Sequence, residues 1–155
     1  ARLFAAGADR VAICTAAIKN PAVIDEIAGR TGSQAISVEI QAKRAGTGWE
    51  AYTDGGRNRS GRDALELARE AVARGAGEIV LTSVDMEGTK RGFDIDLIAH
   101  VAPHMDVPLI ACGGCGSLDH IRAARAAGAD GVSVASVLHY NLLTQEMIEQ
   151  GIEEN

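Results

Sequence analysis

Aromatic residues are scarce in this chain of 155 residues: they make up 3%, as one Trp, two Tyr and two Phe. That excludes an aromatic-rich β-sandwich core. Lys and Arg never run longer than a pair, and the net charge is −6. A nucleic-acid-binding face is therefore not expected, although a local anion pocket remains compatible with the charge balance. No apolar run approaches the ~18 residues of a membrane span, so no membrane partner is expected. The first residues, Ala1 to Ala5, lack a signal-peptide layout and an initiator Met, and read as the end of a helix whose beginning is missing. Three cysteines are too few and odd in number for a disulfide framework, and they suit a reducing cytoplasm, the expected location. What is abundant is small: 18 Gly within a chain that is 46% hydrophobic. The length suits one domain with a real core.

The punctuation is regular. Gly7-Ala8-Asp9 precedes Val11-Ala12-Ile13, Gly75-Ala76-Gly77 precedes Ile79-Val80-Leu81, and Gly128-Ala129-Asp130 precedes Val132-Ser133-Val134. Each Gly reads as a helix C-cap feeding a strand. Two further strands are predicted at 35–41 and 107–112. Helices are predicted to open at Asn20-Pro21, with Asn as N-cap, at a capping box Ser60 to Asp63, at Asp94 and at Ser117, with a helical tail over 143–153. Trp49 to Thr53 reads as part of a small hairpin. Five strands alternating with helices imply an α/β protein with parallel pairing.

Ala6 to Ile13 echoes Ala127 to Val134 at an offset of 121 residues. A repeat of about 120 residues is half of an eight-unit barrel. Two architectures remain open at this point, a doubly wound sheet and a (β/α)8 barrel of which this chain holds the last five strands.

In either architecture chemistry sits where strands end. Cys112-Gly113-Gly114-Cys115-Gly116-Ser117 and Val134-Ala135-Ser136 are turns suited to an anion, with tight Gly turns as the plain alternative. Asp85 follows the third strand and could act as acid or base, or be a solvated loop carboxylate. Cys112 and Cys115 with Cys14 lack a fourth ligand for a metal, so no metal is expected. His100, His104 and His120 are expected to face outward, and none of the four histidines is assigned a role. Strand alternation puts Ile36, Val38 and Ile40 against helices and Ser37, Glu39 and Gln41 on the other face, with Ala12, Thr82 and Ser133. Glu39 there needs a partner, expected from a part of the barrel outside this chain.

Ala6 to Ala17, Gly32 to Arg44, Arg74 to Asp85, Glu87 to Lys90, Gly92 to Asp94, the Gly113-Gly114 turn and Ala135 to His139 together resemble the cyclase subunit of imidazole glycerol phosphate synthase. The resemblance runs in order along essentially the whole chain. It implies that residues 1–155 are the C-terminal portion of a single (β/α)8 barrel from its fourth strand onward. It implies a lyase of histidine biosynthesis that needs no cofactor and takes ammonia from a glutaminase partner through the barrel interior. The substrate would be a bis-phosphorylated ribulosyl aminoimidazole.

By matching position, Thr15, Gly88, Gly113, Gly114, Ala135 and Ser136 fall at two phosphate sites, and Asp85 and Glu87 on the substrate-facing loop. Arg10 and Glu78 match the gate at the barrel bottom, and Thr82 lines the channel. The family's aspartate at the end of the fifth barrel strand is here Gln41, which cannot transfer a proton. Glu39, about 6.6 Å deeper on the same face, is a candidate to replace that aspartate, at a depth that suits the family's geometry poorly. Cys14 and Cys112 stand where the family commonly has Asn and Ser. Two other expectations stay open: a barrel paralogue that supplies ammonia for sugar amidation in surface-polysaccharide synthesis, and a non-catalytic half-barrel that self-associates.

Overall fold

The computed structural model describes residues 2–153. Among these residues seven strands form one sheet: β1 (Val11–Ile13), β2 (Ile36–Ala45), β3 (Gly48–Thr53), β4 (Asn58–Asp63), β5 (Glu78–Ser83), β6 (Leu109–Cys112) and β7 (Gly131–Ser133). The five strands β1, β2, β5, β6 and β7 pair in parallel in that spatial order. β3 and β4 add antiparallel beside the far end of β2. Among the described residues β1 and β7 do not pair with each other, so the sheet is unclosed. Among the described residues eight α-helices form: α1 (Arg2–Ala5), α2 (Thr15–Lys19), α3 (Ala22–Thr31), α4 (Ala64–Ala73), α5 (Ile95–Val101), α6 (Leu118–Ala126), α7 (Ser136–His139) and α8 (Gln145–Glu153).

The repeated Gly motif does what its sequence suggests. Gly7, Gly75 and Gly128 adopt φ of +96°, +105° and +107°. After α4, Gly75 N–H donates to Val72 O and Ala76 N–H to Ala71 O, each at 2.9 Å. These bonds satisfy carbonyls that the helix end leaves over and turn the chain into β5.

One face of the parallel sheet is dry. Ile36, Val38, Ile40, Ile79, Leu81 and Leu109 are fully buried. They pack with the apolar stripe Ala64, Leu65, Leu67, Ala68 and Ala71 of α4, Leu97, Ile98 and Val101 of α5, and Ile121 and Ala124 of α6. On the opposite face Ser37 and Thr82 are buried, while Ala12 and Ser133 at the two edge strands are exposed. The predicted alternation of faces therefore holds.

Several boundaries differ from expectation. Ser60 does not cap α4. It lies in β4, its hydroxyl donating to Ala51 O at 2.6 Å, and Asp63 caps the helix by accepting Glu66 N–H at 3.0 Å. The predicted small hairpin is a two-strand extension of β2, because β2 continues past Gln41 to Ala45. Asn20 is not a side-chain cap: α3 starts one residue late, with Pro21 at the N-cap position. Of the strand expected over 107–112, Leu109–Cys112 forms, and the tail helix starts at Gln145. Asp94 and Ser117 cap α5 and α6 as predicted.

Candidate functional site

The strand ends meet in a cleft. One wall is the loop after β5, with Glu87, Gly88 and Lys90; the second is the turn after β6, from Cys112 to Cys115; the third is the end of β7, from Ser133 to Ser136. Six predicted residues therefore come together here: Glu87, Gly88, Gly113, Gly114, Ala135 and Ser136. The glycines are required by contact as well as by conformation. Gly113 and Gly114 have φ of +94° and +99°. Gly92 N–H donates to Gly114 O at 2.8 Å, and a Cβ on Gly114 would sit 2.0 Å from Gly92 O. A Cβ on Gly116 would sit 2.1 Å from Lys90 O. The two loops are packed backbone on backbone, which keeps side chains out of the cleft floor.

His120 is part of this arrangement rather than facing outward as expected. Its Nδ1 accepts Gly116 N–H at 3.0 Å, fixing the turn from behind. Cys115 is buried, with its thiol against Ser117 O at 3.8 Å, and burial pushes its pKa up. Lys90 was missed by sequence reasoning as a site residue, although among the described residues it carries the one positive charge lining the cleft. Its signal was its place directly after Glu87-Gly88-Thr89, on a loop that already supplied two site residues.

A second group lies on the helix-free face of the sheet. Thr82 Oγ1 donates to Glu39 Oε1 at 3.0 Å, and Gln41 Nε2 donates to the same oxygen at 3.3 Å. The partners of Glu39 are thus within this chain, correcting the expectation of a partner from outside it. Neighbouring strands put them there: Gln41 is in register with Thr82. Gln41 Oε1 is buried, with no hydrogen-bond partner among the described residues. Cys14, at the end of β1, has its pKa pushed up to about 11, first by burial and then by the Glu39 charge.

A third group lies at the opposite ends of the strands. Arg10 donates to Glu78 Oε2 at 2.5 Å and, through Nε, to Gln34 O at 3.1 Å. Ser37 donates to Glu78 Oε1 at 2.5 Å. Arg10 and Glu78, matched by position to the family's gate, thus form an ion pair.

Two predicted residues, Thr15 and Asp85, belong to none of these three groups. Thr15 Oγ1 accepts Asp54 N–H at 2.9 Å, which ties the start of α2 to the β3–β4 turn. Asp85 is exposed and accepts Arg44 N–H at 2.8 Å, so its carboxylate clamps the end of β2. Among the described residues no cluster of three or more His, Cys, Asp or Glu is arranged to hold a metal, and no helix is long and apolar enough to cross a membrane.

The sequence matches the family described as histidine biosynthesis protein over residues 1–144. The chain belongs to the histidine biosynthesis protein family. Three similar members carry the name imidazole glycerol phosphate synthase subunit HisF. The protein of Kocuria rhizophila is 50% identical over 142 residues, 90% of this chain and 56% of its own length. That of Myxococcus xanthus is 46% identical over 155 residues, 99% of this chain and 61% of its own. That of Pyrobaculum aerophilum is 44% identical over 152 residues, 98% of this chain and 60% of its own. The chain thus spans somewhat under two thirds of the length of these relatives. The unclosed parallel sheet fits this family as an incomplete (β/α)8 barrel, and the resemblance read from the motifs is to the same family.

Proposed function

We propose that residues 1–155 are the C-terminal portion of a (β/α)8 barrel that works as the cyclase subunit of an imidazole glycerol phosphate synthase, in the cytoplasm. The observation that carries this reading is the cleft where the Gly113-Gly114 turn, the Glu87 to Lys90 loop and Ala135-Ser136 converge. A floor of glycine backbone with one lysine at its rim suits one phosphate end of a long substrate. The family name of the relatives, with its phosphorylated product, agrees with that chemistry. The three similar members carry the histidine-pathway name, which favours this reading over the sugar-amidation paralogue.

In this reading Glu39 holds and releases the proton that the family's aspartate would otherwise move. Thr82 and Gln41 fix its carboxylate by donating to Oε1, which leaves Oε2 for a reacting group. Gln41 orients Glu39 and does not itself transfer a proton. Asp85 acts on the cleft indirectly, by holding the end of β2. Arg10, Glu78 and Ser37 form the gate at the entrance for ammonia from a glutaminase partner, and Thr82 lies on the path beyond it. Thr15 serves the second phosphate end.

The experiment is turnover of the bis-phosphorylated ribulosyl substrate with ammonium by the full-length protein. Activity that falls at least ~100-fold in Glu39→Gln supports the assignment. No turnover by the unaltered protein, with phosphate still bound, removes the cyclase reading. The 155-residue chain alone, with β1 and β7 both unpaired at one edge, is expected to be inactive and to self-associate, as measured by size exclusion.

A further inference from the structure

The geometry points to a latch across the mouth of the cleft, in which Tyr140 holds the Lys90 ammonium in position for a phosphate monoester. Lys90 is then the binding cation and Tyr140 a residue that positions it. This rests on the phosphate reading of the same cleft.

Lys90 Nζ lies 4.1 Å over the centre of the Tyr140 ring. Lys90 belongs to the loop after β5, and Tyr140 directly follows α7, whose first residue, Ser136, lines the cleft. The contact therefore joins two of the three walls. His139 meets the Tyr140 ring edge-on, with centroids 4.8 Å apart and planes at 80°, so the ring is supported from its side.

The backbone is bent to make this contact. Lys90 has φ of +59°, the left-handed region that a residue with a Cβ rarely occupies. Its carbonyl is pressed against Gly116, which leaves the loop no room to relax there. Asn141, immediately after Tyr140, has φ of +52°. Strained residues held by their surroundings collect where a side chain must be aimed.

The electrostatics explain why aiming matters. Glu87 lines the same cleft and repels an anion, so binding depends on where the Lys90 ammonium stands. A lysine on a solvent-exposed loop loses much rotamer freedom when it engages a ligand. A ring face that already holds the ammonium removes part of that loss before the anion arrives.

Calorimetric titration with inorganic phosphate, on the full-length protein and four variants, tests the latch. Lys90→Met should weaken binding at least tenfold. Tyr140→Leu should weaken it about threefold, and Tyr140→Phe, which keeps the ring, should bind as the unaltered protein does. Adding Tyr140→Leu to Lys90→Met should cause no further loss, because the ring acts only through the lysine. Tyr140 is 58% exposed, so its variants are expected to melt at the same temperature, and a melting curve checks this. Full-strength binding by Tyr140→Leu, or additive losses in the double variant, overturns the latch while the phosphate cleft stands. Absence of phosphate binding in the unaltered protein removes the cleft reading and the latch with it.

Discussion

Glu39 and Thr82 face each other across the β2–β5 pair, the threonine hydroxyl donating to the carboxylate at 3.0 Å. Thr82 is 1% exposed, so the bond is made away from water, on the face of the sheet that carries no helices. Thr82→Val should lower stability by about 1.5–3 kcal/mol, the range for a lost hydrogen bond to a charged group. In a Glu39→Gln background the same substitution should cost measurably less. Urea unfolding of the four members of the cycle gives the coupling, and equal costs in both backgrounds would show that the two side chains do not depend on each other.

Cys14 reports on the same carboxylate. Its pKa of about 11 means a protonated thiol through neutral and mildly alkaline pH. Because the folded value lies above the ordinary value of 9.0, the group's contribution to stability is whole below about pH 9 and is lost as pH rises through about 11. Glu39→Gln removes a negative charge that disfavours the thiolate, so the Cys14 pKa should fall. Alkylation of Cys14 followed by mass spectrometry across pH 7 to ~10 should then show faster labelling in the variant. An unchanged profile would leave burial and the Asp54 charge as the causes of the upward shift.

Asp94 ties three elements together. Its Oδ1 accepts Leu97 N–H at 3.1 Å as the cap of α5, and its Oδ2 accepts Trp49 Nε1–H and the Ser83 hydroxyl, each at 3.2 Å. Asp94→Ala should therefore cost about 2–4 kcal/mol, more than the ~1 kcal/mol expected for Asp63→Ala, which loses a helix cap alone. Equilibrium unfolding of both variants decides the order.

Gly114→Ala should be harmful twice over. The new Cβ would meet Gly92 O at 2.0 Å, in a backbone conformation at φ +99°. A loss of about 1–3 kcal/mol is expected, together with loss of phosphate binding, since the two loops cannot keep their spacing. Phosphate affinity close to that of the unaltered protein would mean that the cleft tolerates the loops moving apart.

The parallel framework was legible because its signals are local. Three glycines in left-handed caps mark where helices end, and β-branched runs follow each within a few residues. Asp94 and Ser117 announced their helices in the same way. The β3–β4 extension was only half legible. Asn58 to Asp63 contains no apolar residue, so β4 has no alternating pattern to detect, and it exists because β3 offers it a pairing edge. Ser60 then looked like a cap in sequence although its hydroxyl serves Ala51.

In the site, the glycines and Ala135-Ser136 were readable from their positions after strands. The pairing of Glu39 with Thr82 was not, because it depends on the register of two strands that are 41 residues apart at Gln41 and Thr82. Tyr140 facing Lys90 was equally hidden, since no local pattern relates residues 50 positions apart.

β2 is shared along one side by two neighbours. Ile36, Ser37 and Val38 pair with β1, and Gln41 to Ala45 pair with β3, while β5 occupies the other side. The hairpin therefore begins where β1 stops and hangs on the sheet without interrupting the βα succession. Its tip, near Gly55, is exposed, and a Cβ there would meet nothing within 4 Å. Residues can be added or exchanged at that tip while the strand order stays untouched, provided the Asp54 N–H to Thr15 bond beside it is kept.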